Sequence, residues 1–143
     1  MELKDVLNLR RSVRKFIDKP IEDDLIDELL KAAFAAPSAA NKRPWEFYVV
    51  TNKDLLNKLK KASNSSNYDA PLAIIVCGNK DRFLSNDLAS YWIQDTSAAT
   101  ENILLRATDL GLASCWIGIY PQIENINNVK NILNLDDNLT PVN

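Results

Sequence analysis

With 143 residues, 46% of them hydrophobic, and a formal net charge of −2, the chain has the composition of an ordinary protein with a single domain over residues 1–143. This length suffices to bury about two-thirds of the surface of the unfolded chain, although it is short for a cofactor site built within one subunit. The charge balance gives no indication of a nucleic-acid partner. No run approaches the roughly 20 apolar residues of a membrane span, and no apolar core follows Met1. We therefore expect a cytoplasmic protein without a membrane segment.

The chain contains no histidine. This absence excludes Ser-His-Asp and Cys-His nucleophilic machinery, zinc bound by histidine and acid–base catalysis by imidazole. Cys77 and Cys115 lie far apart, each in an apolar run, which favours two buried thiols over a disulfide, and no paired-cysteine motif predicts a metal site. A bound cofactor is therefore the economical source of chemistry for an enzyme with this sequence.

The N-terminal part of the chain predicts a short helix followed by a basic segment. Leu3, Val6 and Leu7 have helical spacing, and the basic segment, residues 10–15, carries four cations and the hydroxyl of Ser12. Arginine suits bidentate contacts with phosphate, and serine adds a neutral donor. The alternative for Arg10 and Arg11 is to interact favourably with the C-terminal end of the first helix, but this alternative explains the later cations poorly.

The stretch Ala35–Phe47 joins a predicted helix, Ile21–Ala36, to a predicted strand, Trp45–Val50. Prolines bound the loop because Pro37 ends the helix and Pro44 restricts the residue before the strand. Between them lie small side chains and two hydrogen-bonding residues, Ser38 and Asn41, so that the backbone can approach a flat ligand. The alternative is a tight connection in which Ser38 and Asn41 cap nearby backbone groups.

The remaining elements alternate between helices and strands. A third helix is capped by Thr51 or Asn52, and a polar loop follows it. The continuous apolar run from Pro71 to Gly78 is typical of a strand in the middle of a sheet. Further along, the patterns predict a long helix over Asp87–Leu110 ended by Gly111, a strand over Leu112–Tyr120, a last helix containing Ile123 to Leu133, and a turn at Asn134–Asn138.

Four stretches in this order, Arg10–Phe16, Ala35–Phe47, Asp95–Leu104 and Gly111–Gly118, resemble the nitroreductase family of FMN-dependent oxidoreductases. The resemblance spans most of the chain. It implies an α+β fold, a three-layer sandwich in which helices flank a mixed, mostly antiparallel central sheet. It also implies a homodimer, with the helix that contains the small residues Ser97–Thr100 at the subunit interface; the alternative is a central helix buried within one subunit.

The resemblance further implies which residues bind FMN. Arg10 and Ser12 would hold the phosphate, and Arg14 would lie near the pyrimidine edge of the ring. The other subunit would contribute Ser38 and Asn41 at the subunit interface. The backbone around Ile117 and Gly118 would approach N5 of the flavin, and Arg11 and Pro37 belong to the same motifs as the residues named above.

The function implied is hydride transfer from NAD(P)H through FMN to a small electron acceptor, such as a nitroaromatic or a quinone, by a ping-pong mechanism without a catalytic side chain. The alternative is a flavin-binding or sensory dimer without efficient turnover. Two features depart from the family: Arg43 stands where a glutamine is common, and the chain stops at Thr140–Asn143, where family members enter a further strand and a C-terminal tail. We therefore expect a form of the fold that lacks that strand and tail.

Overall fold

The computed structural model describes all residues from Met1 to Asn143. Eight helices and strands follow one another along the chain: α1 (Leu3–Leu9), α2 (Asp23–Phe34), β1 (Trp45–Val50), α3 (Lys53–Leu59), β2 (Ala73–Asn79), α4 (Tyr91–Asp109), α5 (Ile123–Leu133) and β3 (Leu139–Pro141). Short 3₁₀ turns occur at Ala39–Asn41, Lys80–Arg82 and Asn86–Leu88. None of the helices combines the length and the hydrophobicity that a bilayer span requires.

The three strands form an antiparallel sheet in the order β1-β2-β3, so the predicted apolar strand is the central one. Alternate residues of β2 point to opposite faces. Val76 packs in a core with α2 and α4, whereas Ile75 and Cys77 pack in a second core with α3 and α5. The chain therefore has three layers, with helices on both faces of a sheet, and the predicted α+β fold is confirmed. The sheet itself is antiparallel. The parallel pairing expected of a mixed sheet is limited to one isolated bridge, between Ser12 and Ser114.

Local sequence explains where several elements begin and end. Helix α2 carries Asp23 and Asp24 in its first turn, where negative charge stabilises the helix dipole. The side chain of Asn52 accepts a hydrogen bond from the backbone N–H of Leu55 at 3.0 Å and thereby caps α3. Helix α4 ends at Asp109, and Gly111, two residues later, has a φ of 73°, the left-handed conformation that glycine adopts without strain.

Helix α4 is the centre of one core, and α2 packs against it. Ala99 is fully buried, and the side-chain amide of Asn102 donates a hydrogen bond to the carbonyl of Ala32 in α2 at 3.0 Å. Ala33 of α2 belongs to the same cluster as Ala99. Small residues of α4 thus allow the close approach of a helix within the chain itself, which is the alternative that the sequence left open.

The two cysteines are free thiols, as the sequence predicts. Cys77 lies in β2 and is fully buried, and this burial raises the pKa of its thiol to about 12, so the thiol is inert near neutral pH. Cys115 is only half-buried, which corrects the expectation that both thiols lie in the core.

The prediction of a strand over Leu112–Tyr120 is wrong. The segment has backbone pairing only near its two ends: Ser114 forms the bridge with Ser12, and the N–H groups of Ile119 and Tyr120 donate to the carbonyl of Val142. A strand requires a neighbouring strand along its length, and strand-type residues alone do not supply one. Conversely, the patterns predict no element for the last residues, and these form β3 beside β2.

Candidate functional site

The basic segment lies beside the segment that carries Ile117 and Gly118. The backbone N–H of Val13 donates to the carbonyl of Ser114 at 2.9 Å, at the bridge between Ser12 and Ser114. Two stretches that are about 100 residues apart in the sequence are therefore adjacent in space. This adjacency is what a site requires if one stretch holds a phosphate and the other contacts a ring.

The three arginines of this segment have different environments. Arg10 is half-buried, and its Nε lies 3.6 Å from the carboxylate of Glu101 on α4. Arg11 donates through Nη1 to the carbonyls of Asn8 at 2.5 Å and Arg10 at 2.8 Å, so it satisfies carbonyl groups at the end of α1. Arg14 is exposed, and its only contact is a long one, 3.5 Å, with the carbonyl of Ser12. Arg10 and Arg14 thus present charge to solvent, whereas Arg11 has the helix-end role that the sequence left open.

The loop after α2 has an unusual backbone. Ala40, Asn41 and Arg43 have φ values of 50°, 52° and 47°, in the left-handed region that residues other than glycine adopt at a cost. The hydroxyl of Ser38 accepts a hydrogen bond from the N–H of Arg43 at 2.9 Å, and the side-chain oxygen of Asn41 accepts one from Nε of Arg43, also at 2.9 Å. Both predicted ligand contacts therefore also hold the loop together. Concentrated backbone strain of this kind is typical of ligand-binding loops.

Asp95 anchors this loop, and sequence reasoning did not assign it a role. Its side chain lies in α4, the residue is 7% exposed, and its carboxylate accepts a hydrogen bond from the N–H of Ala39 at 2.9 Å. Burial raises the pKa of Asp95, and the hydrogen bond from Ala39 partly opposes this shift. An acidic residue on the apolar face of a predicted helix is the signal that could have identified it.

The loop and the basic segment contact α4 on different sides. Asp95 holds the loop and Glu101 holds Arg10, and a spacing of six residues in an α-helix places two side chains about 120° apart around the axis and about 9 Å apart along it. One chain therefore does not bring Ser38 and Asn41 onto the helix face beside Arg10.

The groups on the basic side fit a phosphorylated, flat ligand. The hydroxyl of Ser12 is exposed and makes no hydrogen bond within the chain, and Arg14 adds an exposed guanidinium. A methyl group placed on Gly118 would meet no atom within 4 Å, so the space beside its backbone is open. Cationic and hydroxyl donors suit a phosphate, and an open, exposed backbone stretch suits contact with a ring. The chain contains no cluster of three His, Cys, Asp or Glu side chains that could hold a metal ion.

The sequence model of the family described as "Nitroreductase family" matches residues 7–71 and 63–142. The chain belongs to the nitroreductase family. The two matches together include all four stretches on which the resemblance rests, so the assignment does not depend on a single motif.

Relatives and solved structures agree with this assignment. A protein of Archaeoglobus fulgidus named "Putative NADH dehydrogenase/NAD(P)H nitroreductase" is 41% identical over 96% of this chain and 79% of its own length. A crystal structure of a protein with the same name from Parabacteroides distasonis has a TM-score of 0.92 at 34% identity. The match covers all of this chain and 83% of the Parabacteroides chain. An "FMN-dependent Nitroreductase" of Clostridium difficile has a TM-score of 0.87 at 34% identity, over 96% of this chain and 81% of its own.

A large cavity lies next to the candidate site. It has a volume of about 850 Å³ and is lined mainly by apolar side chains, among them Leu29, Ile74 and Ile103. Of the predicted ligand contacts only Ile117 lines it; the three arginines, Ser12 and the loop after α2 do not. The cavity therefore lies behind the candidate site, towards β2.

Proposed function

We propose that the chain is an FMN-dependent oxidoreductase that passes a hydride from NAD(P)H to a small electron acceptor such as a nitroaromatic or a quinone. The observation that carries the proposal is the hydrogen bond between Val13 and Ser114, which joins a phosphate-type basic segment to the open backbone at Gly118. Family membership adds the cofactor class, since one of the similar structures is named an FMN-dependent nitroreductase.

In this proposal each residue has a separate role. Arg10 and Ser12 would bind the phosphate, Arg14 would supply positive charge at the pyrimidine edge of the ring, and Arg11, whose guanidinium bonds carbonyls at the end of α1, would support the segment. The backbone of Ile117 and Gly118 would contact the ring through N–H groups that make no backbone hydrogen bond within the chain. When bound, FMN supplies the hydride chemistry, so the chain needs no histidine and no side-chain nucleophile.

We infer that two chains form the complete site. The loop with Pro37, Ser38 and Asn41 and the basic segment contact α4 about 120° apart around its axis, so the loop of one protomer would serve the basic segment of its partner. Exposed apolar side chains supply surface for such an interface. Leu3 and Leu7 of α1 are 68% and 56% exposed, and Phe34 at the end of α2 is 57% exposed. In this proposal residues 1–143 act as one FMN-binding domain in a cytoplasmic homodimer.

Absorbance spectroscopy of the purified protein, reconstituted with FMN, tests the function. We expect flavin absorption bands that remain after gel filtration and that bleach when NADH or NADPH is added without oxygen. Recovery of the bands on addition of a quinone, with parallel lines in double-reciprocal plots, supports a ping-pong mechanism. Flavin bands that remain but do not bleach would refute the enzyme and favour a flavin-binding or sensory dimer. Absence of flavin binding would refute both the enzyme and the flavin-binding dimer.

Sedimentation velocity tests the assembly separately. We expect a dimer at micromolar concentration, with two FMN bound per dimer. A monomer that holds one FMN per chain would refute the site shared between protomers while leaving the oxidoreductase function in place.

A further inference from the structure

The loop after α2 is held at both of its ends. At its start, the N–H of Ala39 donates to the carboxylate of Asp95 in α4 at 2.9 Å. At its end, the carbonyl of Pro44 accepts a hydrogen bond from the N–H of Asn79, the last residue of β2, at 2.6 Å. Just before that end, Arg43 has a φ of 47°, which residues other than glycine adopt at a cost. Contacts at Arg43 must therefore offset this cost.

The side chain of Arg82 contacts Arg43 from outside the loop. Its Nη1 donates a hydrogen bond to the carbonyl of Arg43 at 3.3 Å. Its Nη2 lies 3.8 Å from the carboxylate of Glu46 in β1. One guanidinium thus connects the end of the loop to the strand that follows it. Arginine suits this place because its planar group presents donors to two acceptors at once, whereas the ammonium of lysine is a single point of charge.

The position of Arg82 is itself fixed by Asn79. Arg82 lies in the 3₁₀ turn Lys80–Arg82, and the side-chain oxygen of Asn79 accepts a hydrogen bond from the N–H of Asp81 in this turn at 3.0 Å. The side-chain amide of Asn79 donates to the carboxylate of Glu46 at 2.7 Å, and the residue is only 6% exposed. A buried amide resists reorientation because a move would leave its donor or its acceptor unsatisfied. One asparagine therefore orients both the turn that carries Arg82 and the carboxylate that Arg82 faces.

An aromatic pair ties the same turn to α4. Phe83 directly follows the turn and stacks on Trp92, with ring centroids 4.9 Å apart and an angle of 8° between the ring planes. Trp92 lies in the first turn of α4, about one turn before Asp95. The supports of both ends of the loop therefore come from the same end of one helix.

We propose that Arg82 is a positioning residue for the FMN site. Its guanidinium holds Arg43 in the left-handed conformation. Arg43 in turn donates from its N–H to Ser38 and from Nε to Asn41, the predicted FMN contacts. The part of this inference that concerns FMN rests on the proposed function. The side chains of Arg82 and Glu46 are 50% and 32% exposed, and ion pairs at such exposure contribute little to the stability of a whole fold. Loss of Arg82 should therefore loosen the loop without destabilising the chain.

Hydrogen exchange followed by NMR, in the full chain without flavin, tests the loop directly. We expect Arg82→Met, which keeps an apolar stem and removes the donors, to speed exchange of the Arg43 amide by about threefold or more. Lys80→Met is the matched control, because it removes the same charge from the same turn while the Nζ of Lys80 contacts the carbonyl of Asp137 instead, at 3.5 Å. Exchange of the Leu55 amide, which is held by the cap of α3, and the urea midpoint should stay unchanged in both variants.

Titration of the apoprotein with FMN tests the consequence for the site. We expect the dissociation constant to rise by about threefold to tenfold in Arg82→Met and to stay unchanged in Lys80→Met. The visible circular dichroism of bound FMN, which depends on the groups around the ring, should change in Arg82→Met alone.

Three results of the exchange experiment would overturn the proposal: an unchanged rate for Arg43 in Arg82→Met, an equal change in Lys80→Met, or faster exchange of Leu55 together with a lower urea midpoint. An FMN affinity that is the same in Arg82→Met and in a wild type that binds FMN would also overturn it. If the wild type binds no FMN, the proposed function fails, whereas the exchange of Arg43 still decides whether Arg82 positions the loop.

Discussion

Replacement of Arg10 by alanine is the most direct test of the phosphate contact. Arg10 is the arginine of the basic segment that is both half-buried and fixed in position, because Glu101 on α4 lies 3.6 Å from its Nε. A fixed guanidinium loses less conformational entropy when it binds phosphate than a free one does. We therefore expect Arg10→Ala to weaken FMN binding more than any other single change in the segment.

The magnitude follows from the contacts that are lost. A charge-assisted hydrogen bond is worth roughly 1.5–3 kcal/mol, which corresponds to an increase in the dissociation constant of about 10-fold to 150-fold. Part of the attraction is offset in the wild type, because Glu101 competes with the phosphate for Arg10. We therefore expect a value in the lower half of that range for Arg10→Ala, and a modest increase in affinity for Glu101→Gln.

Titration of the apoprotein with FMN, followed by quenching of flavin fluorescence, measures these affinities. Arg11→Ala is the matched control: it removes the same charge from the neighbouring position, but its guanidinium is engaged by the carbonyls of Asn8 and Arg10. Raising the salt concentration should reduce the difference in FMN affinity between the wild type and Arg10→Ala, because salt screens the charge of Arg10. Equal affinities for wild type and Arg10→Ala, or an equal loss for both arginine variants, would refute the assignment of Arg10 to the phosphate.

Three further substitutions test other parts of the structure. Gly118→Val should leave folding intact, since a Cβ at this position meets no atom within 4 Å. It should impair flavin occupancy or the reduction of the flavin by NAD(P)H. Normal occupancy together with normal reduction would show that this segment does not face the flavin. Gly78→Ala should destabilise the fold by roughly 1–3 kcal/mol in urea unfolding, because its Cβ would lie 2.7 Å or less from two ring atoms of Trp92; an unchanged midpoint would contradict that packing. Burial raises the folded-state pKa of Asp95, so its stabilising contribution is present below the ordinary pKa of an aspartate and is lost as pH rises through the raised pKa. Asp95→Asn should remove this decline, and an unchanged pH profile of unfolding would contradict the assignment.

Local signals in the sequence predict most of the helices and two strands. The strand Trp45–Val50 agrees at both ends because Pro44 precedes it and the bulky residues stop at the capping residue Asn52. Helix α4 ends where predicted because only a residue such as Gly111 adopts its φ of 73° without strain. These features depend on neighbours in the chain, which the sequence displays directly.

What the sequence could not predict depends on partners that are distant in the chain. Residues 112–120 have the composition of a strand, but a segment joins a sheet only through hydrogen bonds to a neighbouring strand. No strand lies along most of residues 112–120. The role of Asp95 depends on Ala39, which is 56 residues away, and the pairing of Ser12 with Ser114 depends on how the whole chain folds. The residues of the candidate site were thus predictable by type and motif, whereas their arrangement on different sides of α4 was not.

That arrangement has a consequence for how two flavin sites in a dimer would behave. Each α4 would hold, through Glu101, the phosphate contact of one site and, through Asp95, the loop that completes the other. A shift of this helix on binding the first FMN would alter the affinity for the second, and linkage requires the effect to be reciprocal. Flavin titrations of such a dimer should therefore show cooperativity, and changes at Asp95 or Glu101 should alter the Hill coefficient as well as the affinity.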